Sequence, residues 1–570
     1  MNALAAPEAV RVVALRELPS FSRVLTGTHL HAPYRIPVDF AHRLAAIETG
    51  ARRAVLLFDP DNAPSAHHNG TLMSCMALLR GQLMADQFDV PVAAIACNSD
   101  VIMQLSDSAD DGEANTGNTA AGLSIESQAR DTFEHWLQLA VAEKATDIHV
   151  QVVHHVAEVK LRVDGVLEPL RDASGGICTP GLAERAVAWA YNNASGRGSN
   201  SNSQFSPAEN LYCMVAARDV MGKRVALRFQ SVRGAAGMKT VCRLLHVDID
   251  TPTLSYAQLG YAPSHMNLLE NAAHTPAGFV IFAGVTGSGK TTTLKTFIET
   301  HPDNGRDAFY SIEDPVEYPL RGVHQIPIQR DLIDREGSGA KYAEVVAALM
   351  RADPGCVLMG EIRDTATARA GQQIVETGHM ACATVHAHLL SGIVARLTNA
   401  EIGMDRDVLT HPNMLTLLAY QALVPLLCTH CRLTADEALR HPALMAEHRH
   451  IRLILDALEK RFGLDRGHFR FRNPLGCPHC AQRGTQGLTV VAEMLSPDRT
   501  WLDLIQQHRD HEAVMYFRSH SDRKPASDNM HGKTVFEHTL HKSVQGLVDP
   551  RQCERFDSFQ RFHVLQEGVQ

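Results

Sequence analysis

The spacing of apolar and polar positions divides this chain into segments of different character. Up to about Leu105, helical patterning is mixed with two short apolar runs, Ala54-Val-Leu-Leu-Phe58 and Val92-Ala-Ala-Ile-Ala96, which read as buried strands of a small α/β module over 1–105. From Ser106 to Gly122 the sequence is acidic and small and has no large apolar residue, so 106–123 reads as a flexible linker. Ser124 is placed to cap a helix with Phe133, Trp136, Leu137, Ala140 and Val141 on one face. Strand candidates follow at Asp147–Val153 and Ala157–Val163, the second closed by the turn pair Asp164-Gly165. A second helix near Leu182–Asn193 runs into a polar tract at 195–203. Strands near 211–217, 224–229 and 240–245 then complete an α+β domain over 124–250.

After a connecting segment at 251–275, apolar strands and helical patterns alternate through 276–570, as in a parallel sheet with crossovers. The strand candidates are Phe279–Ala283, Ala308–Ile312, Cys356–Met359 and Met380–Val385. In an open α/β sheet the ligand site lies at the carboxyl ends of such strands. The first strand runs directly into Gly284-Val-Thr-Gly-Ser-Gly-Lys-Thr291, with no helix breaker after it until Pro302. Gly284, Gly287 and Gly289 let backbone N–H groups turn inward around a triphosphate. Lys290 neutralises charge, the Thr291 hydroxyl is a ligand for Mg²⁺, and Thr286, Ser288 and Thr292 complete the loop. This context predicts binding of ATP or GTP rather than a chance match in a loop.

Acidic residues follow the next two strands, in Ser311-Ile-Glu313-Asp-Pro-Val-Glu317 and in Gly360-Glu361-Ile-Arg-Asp364. Carboxylates at strand ends beside a phosphate loop hold Mg²⁺ or its waters and orient an attacking water. Glu361 is the first candidate for that role and Glu313 the second. The fourth strand is flanked by His379 and His386, candidates to contact the terminal phosphate. The chain has 31 histidines, so position alone distinguishes these two.

Composition narrows the picture. At 570 residues the chain is too long for one core, and its 45% apolar content is that of a soluble globular protein. A formal charge of −9 argues against a nucleic-acid coat, so no direct nucleic acid partner is expected. The amino terminus lacks a signal-peptide pattern, which predicts a cytoplasmic protein. The longest apolar segment, Met414–Leu427, is interrupted by Gln421 and Pro425 and is too short to span a bilayer. Eight of the 12 cysteines are scattered singly and read as small core residues. The other four form Cys428-Thr-His-Cys431 and Cys477-Pro-His-Cys480, two knuckles suited to one Zn²⁺, with a redox dithiol as the alternative. His430 and His479 are back-up ligands, and the helical stretch Ala435–Phe462 becomes an insertion held at its base.

Together these motifs give a resemblance to the type II secretion and type IV pilus assembly ATPases, from about Ser124 to Asp549 and in matching order. It is carried by Ala145-Thr-Asp-Ile-His149, Arg162-Val-Asp-Gly-Val-Leu167, Gly287-Ser-Gly-Lys-Thr-Thr-Thr-Leu294, Glu313-Asp-Pro-Val-Glu317, Gly360-Glu-Ile-Arg-Asp364, the histidine box through His386, and both knuckles. The resemblance implies a PAS-like domain followed by a RecA-like ATPase domain, a homo-hexameric ring, and ATP held between the two domains. By matched spacing, Arg228 and Arg243 resemble arginines offered to the phosphates, with Gly237 between them, and Arg351 resembles a further arginine at the nucleotide site. It also implies an N-terminal module docked on a membrane-associated adapter, an inner-membrane platform protein as the driven partner, and membrane association only through partners.

Several residues depart from the family pattern: Val285 in the loop, Ala347, Gly355, Ala422 and Pro425 in what the family pattern makes a helix before the first knuckle, and Leu488. The reading is an ATPase powering pilus assembly or protein secretion. A weakly hydrolysing nucleotide-gated scaffold and the ATPase of a conjugative DNA-transfer system are the alternatives.

Overall fold

The computed structural model describes residues 18–27, 34–36, 43–50, 52–59, 66–91, 94–99, 101–103, 105, 120–153, 156–172, 174–193, 204–247, 252–328 and 335–564. The chain forms two compact units, Met1–His246 and Val247–Gln570. The linker core and the polar tract at 195–203 lie outside the described residues, as do Val92 and Ala93.

In the first unit, Arg53–Phe58 pairs antiparallel with Leu44–Gly50 and parallel with Ile95–Ala96. Leu44–Gly50 is an addition to the expected strands. Its Leu44-Ala-Ala-Ile47 start is buried throughout and shows no alternation, because apolar clusters cover both sides of the sheet. The helix expected to begin at Ser124 begins at Ala120, which puts Ser124 inside it rather than at its cap. This helix and Pro180–Asn192 share one apolar cluster with a seven-stranded sheet, whose strand Val156–Val163 alternates strictly between buried and half-buried residues. Gly237 opens the last strand of that sheet with φ of 143°, and a Cβ there would meet the Val152 carbonyl oxygen at 2.3 Å. Only glycine permits that approach.

The second unit is built on a seven-stranded sheet ordered Val323–Pro327, Phe309–Glu313, Cys356–Met359, Met380–Val385, Gly278–Ala283, Leu415–Leu427 and Thr485–Leu495. All neighbours run parallel except the last pair. Gly278–Ala283 lies inside the sheet and every residue of it is buried. Phe279 and Ile281 enter one apolar cluster and Val280 and Phe282 the other, so the run is apolar because both faces are covered.

Leu415–Leu427 corrects an expectation. It is a strand of the central sheet, not a helix before the first knuckle. Its apolar run is bounded by a sheet partner on each side, and Pro425 sits where the pairing with Thr485–Leu495 shifts register. Two of the departures from the family pattern, Pro425 and Leu488, are direct cross-strand partners.

Glu493, opposite Tyr420 on the last strand, is 4% exposed. Its carboxylate accepts from the backbone N–H of Leu390 and of Val535, the first residue of the helix Val535–Val544. Burial pushes this carboxyl up to about 7 from an ordinary 4.5, although the two N–H bonds oppose the shift. Between those values the unfolded chain ionises before the folded one, so stability falls as pH rises and levels off above about 7. Replacing Glu493 with Gln removes this dependence. Urea unfolding at pH 5 and pH 8 is expected to show the stability difference between the two conditions shrinking by about 2–3 kcal/mol in the variant.

Candidate functional site

Four chain segments leave the sheet at the carboxyl ends of neighbouring parallel strands. After Ala283 the backbone turns through Gly284, Gly287 and Gly289, at φ of 153°, 78° and 82°. Gly284 is wedged: a Cβ there would lie 2.4 Å from Ser288 Oγ and 2.5 Å from the Gln421 carbonyl oxygen. Gly289 caps the helix Lys290–Glu299, so the loop ends at a helix N-terminus, where backbone N–H groups and the helix dipole favour an anion. Lys290 Nζ donates to the carbonyls of Gly284 (2.8 Å) and Val285 (3.1 Å). Burial lowers its pKa to about 8, and the nearby carboxylates of Glu361 and Glu317 act in the opposite sense. Thr286, Thr291 and Thr292 are exposed, whereas Ser288 is 2% exposed and its hydroxyl has no hydrogen-bond partner.

The acidic residues close on this loop. Gly360 N–H donates to the Ile312 carbonyl at 3.0 Å, so Glu313 and Glu361 follow one inter-strand bond. Arg363 ties the two acidic segments through Asp314 at 2.7 Å. His386 joins them to the loop, with Nδ1 3.2 Å from the Gly284 carbonyl oxygen and Nε2 3.2 Å from Glu361 Oε1. Glu313 is 9% exposed, and its Oε1 accepts from Ser311 Oγ (2.6 Å) and Gln325 Nε2 (2.9 Å). Burial pushes its carboxyl above the usual range despite those bonds.

His379 is not brought to this place. It precedes Met380–Val385 while His386 follows it, and six residues of strand separate them by roughly 20 Å. His379 Nδ1 instead lies 3.0 Å from Thr377 Oγ1, and Thr377 Oγ1 approaches Met350 Sδ. Arg351 shares that amino-terminal edge, since it precedes Cys356–Met359. A histidine flanking an apolar strand carries no mark of which end faces the ligand. Strand direction supplies it.

In the first unit, Arg228 and Arg243 are direct cross-strand partners, and Arg243 pairs onward with Asp147 and Asp147 with Arg162. Residues in one cross-strand row share a face. Asp147, 3% exposed, lies 3.0 Å from Arg243 and 3.6 Å from Arg162. The Arg228 guanidinium sits over the Tyr212 ring. The sequence reading quoted Asp147 within a motif without giving it a task, and only strand register reveals that it holds two arginines.

The two knuckles meet because the strands that carry them pair: Leu427 lies opposite Thr485, which brings Cys428 and Cys431 to Cys477 and Cys480. The four sulfurs lie within 4.8 Å of one another, with separations of 3.7 Å for Cys428–Cys477, 3.9 Å for Cys431–Cys480 and 3.7 Å for Cys477–Cys480. A tetrahedron with zinc–sulfur bonds of about 2.3 Å has edges of about 3.8 Å, so the set fits Zn²⁺. Backbone N–H groups of Cys477 and Gly484 point at Cys480 Sγ, as they do at a thiolate ligand. His430 and His479 are not part of the cluster. Their rings stack on each other at 3.9 Å.

Two residues of the site escaped the sequence reading. Glu317, quoted only as the end of an acidic box, acts on Lys290. Gln421, noted as a break in an apolar segment, donates from Nε2 to the Ser288 carbonyl at 2.8 Å. The available signal was a single amide in a run that is otherwise apolar.

Residues 126–548 match the family described as Type II/IV secretion system protein. The protein transport protein HofB homolog of Escherichia coli K12 is 31% identical over 418 residues, which cover 72% of this chain and 78% of that protein. The type II secretion system protein HxcR of Pseudomonas aeruginosa is 30% identical over 373 residues, 65% of this chain and 67% of that protein. A solved structure, that of the Legionella pneumophila ATPase DotB, aligns with 75% of this chain and 95% of its own at 18% identity and a TM-score of 0.48. With most of its length matched to the profile and the phosphate loop and acidic strand ends in one place, the chain belongs to the Type II/IV secretion system protein family, as one of its P-loop ATPases.

Proposed function

We propose that this chain is the motor subunit of a type II secretion or type IV pilus assembly system, hydrolysing ATP at the carboxyl edge of its parallel sheet. The observation that carries the reading is His386, which touches both the Gly284 carbonyl and the Glu361 carboxylate and so makes the phosphate loop and the acidic strand end one pocket. In this reading the N–H groups from Gly284 to Thr292 cradle the phosphates and Lys290 neutralises their charge. Glu361 orients the attacking water. Glu313, whose carboxyl is biased toward the protonated form by burial, stands beside it. His386 reads the terminal phosphate. The Thr291 hydroxyl would hold Mg²⁺, which would supply positive charge to the phosphate oxygens.

The sheet domain of the first unit is read as PAS-like and the second unit as RecA-like. Arg228 and Arg243 offer guanidinium groups to the nucleotide, supported by a row in which three arginines outnumber one aspartate. The subunits assemble as a homo-hexamer, and residues 1–105 dock on a membrane-associated adapter. The motion passes to an inner-membrane platform protein, and nucleic acid is not a partner. The location is the cytoplasmic side of the inner membrane, reached through partners. Among the described residues no helix is long and apolar enough to cross a membrane. Cys428, Cys431, Cys477 and Cys480 would hold Zn²⁺, which would tie the insertion Ala435–Phe462 at its base to the strand pair that carries the knuckles.

In the variant Glu361→Gln, Mg-ATP affinity by calorimetry is expected to stay within about threefold of wild type while steady-state phosphate release falls roughly 100-fold or more. Equal turnover in both proteins removes Glu361 from the chemistry, and wild-type release at the background rate favours the scaffold reading. Elemental analysis of the purified chain is expected to find about one zinc per chain, lost when Cys477 and Cys480 are replaced by Ser, with a lower unfolding temperature.

A further inference from the structure

Gln421 sits in the middle of Leu415–Leu427 with its side chain wholly buried, the one amide side chain in a largely apolar stretch. A buried amide is costly unless its groups are paired. Here both ends are used. Nε2 donates to the Ser288 carbonyl at 2.8 Å, and Oε1 accepts from the Tyr261 hydroxyl at 2.7 Å. That bond takes the single proton of Tyr261, so in the second contact, 2.9 Å from Thr293 Oγ1, threonine is the donor and tyrosine the acceptor. Tyr261 is 4% exposed, and burial pushes its pKa up, so it stays a donor. The Ser288 carbonyl can only accept, so it sets Nε2 toward the loop, and the Tyr261 hydroxyl supplies the proton for the Oε1 on the other side.

The consequence lies in the peptide between Ser288 and Gly289. In a planar trans peptide the C=O and the following N–H point in opposite directions. Drawing the Ser288 carbonyl onto Gln421 therefore turns the Gly289 N–H the opposite way, off the strand that carries the amide. Gly289 itself is seated on the brace: a Cβ there would lie 3.3 Å from Gln421 Nε2. The neighbouring Ser288 hydroxyl has no partner, which leaves the amide as the side chain that fixes this peptide.

We propose that Gln421, with its other end held by Tyr261, is a positioning residue that presets the Gly289 N–H for the phosphates of a bound nucleotide. This rests on the ATPase reading above and adds how the cradle is held in shape before ligand arrives. The full-length chain is assayed for Mg-ATP turnover, for Mg-ATP affinity by calorimetry, and for unfolding temperature without nucleotide. Gln421→Leu is expected to raise both KM and Kd about tenfold while kcat changes less than threefold. Tyr261→Phe removes one hydroxyl and leaves the buried Oε1 of Gln421 without that donor. It is expected to raise KM about threefold, and it decides the matter if Gln421→Leu does not fold. A lower unfolding temperature in either variant with KM and Kd within 1.5-fold of wild type shows a core amide with no part in binding and overturns the proposal. A wild-type chain that binds no Mg-ATP overturns this proposal together with the ATPase reading. Normal wild-type binding with insensitive variants overturns the brace alone.

Discussion

Strand polarity is the constraint on which the site depends. Gly278–Ala283, Phe309–Glu313, Cys356–Met359 and Met380–Val385 run the same way, so whatever follows them emerges at one edge of the sheet and whatever precedes them at the other. Glu313 ends its strand, and Gly284, Glu361 and His386 follow theirs within two residues of the last paired position, and that suffices to gather them. The loop stands on a strand buried on both faces, so its base cannot shift without disturbing two apolar clusters at once. Rigidity there matters because a cradle of N–H groups is useful only if it does not have to reorganise around the anion.

The strand pair Leu415–Leu427 and Thr485–Leu495 extends that framework. One edge of Leu415–Leu427 hydrogen-bonds the phosphate-loop strand, while its end passes directly into Cys428. Two buried polar side chains of this pair have defined partners: Gln421 on the loop, and Glu493 on the backbone of Leu390 and Val535. Leu390 lies a few residues beyond His386, so the Glu493 carboxylate links the segment after the histidine to the C-terminal helix. Paired polar groups in a dry environment specify one arrangement of the elements they join. The same strands hold the tetracysteine cluster at one end and the phosphate loop at mid-length, which gives that cluster a direct backbone connection to the site.

In the first unit a single buried carboxylate organises a basic row. Asp147 takes Arg243 and Arg162 on either side, and Arg228 stands next in register. Guanidinium groups this close repel one another, and a carboxylate between two of them lowers that cost while leaving the row net positive. The alternating strands around it keep the opposite face apolar and packed under two helices.

Much of this was legible in the sequence. The four apolar strand runs, the glycine pattern and the cysteine spacing each report a local requirement: burial on both faces, positive φ at named positions, and thiolates at a reach that one metal can span. They identified four of the seven strands of the second unit's main sheet to within a residue or two, the phosphate loop and the cysteine cluster, but not Val323–Pro327, Leu415–Leu427 or Thr485–Leu495. Tertiary structure decided what depends on direction and neighbours. His379 and His386 look equivalent in sequence, and only the parallel sheet sends one to the loop and the other to the far edge. Met414–Leu427 has the composition of a buried helix as much as of a strand, and pairing on both sides settles it. His430 and His479 stack on each other, while the four cysteine sulfurs gather without them. Local pattern records what each residue needs from its surroundings, whereas the identity of the partner that meets the need, such as Gln421 for Ser288, is set by strand order, which no short stretch of sequence contains.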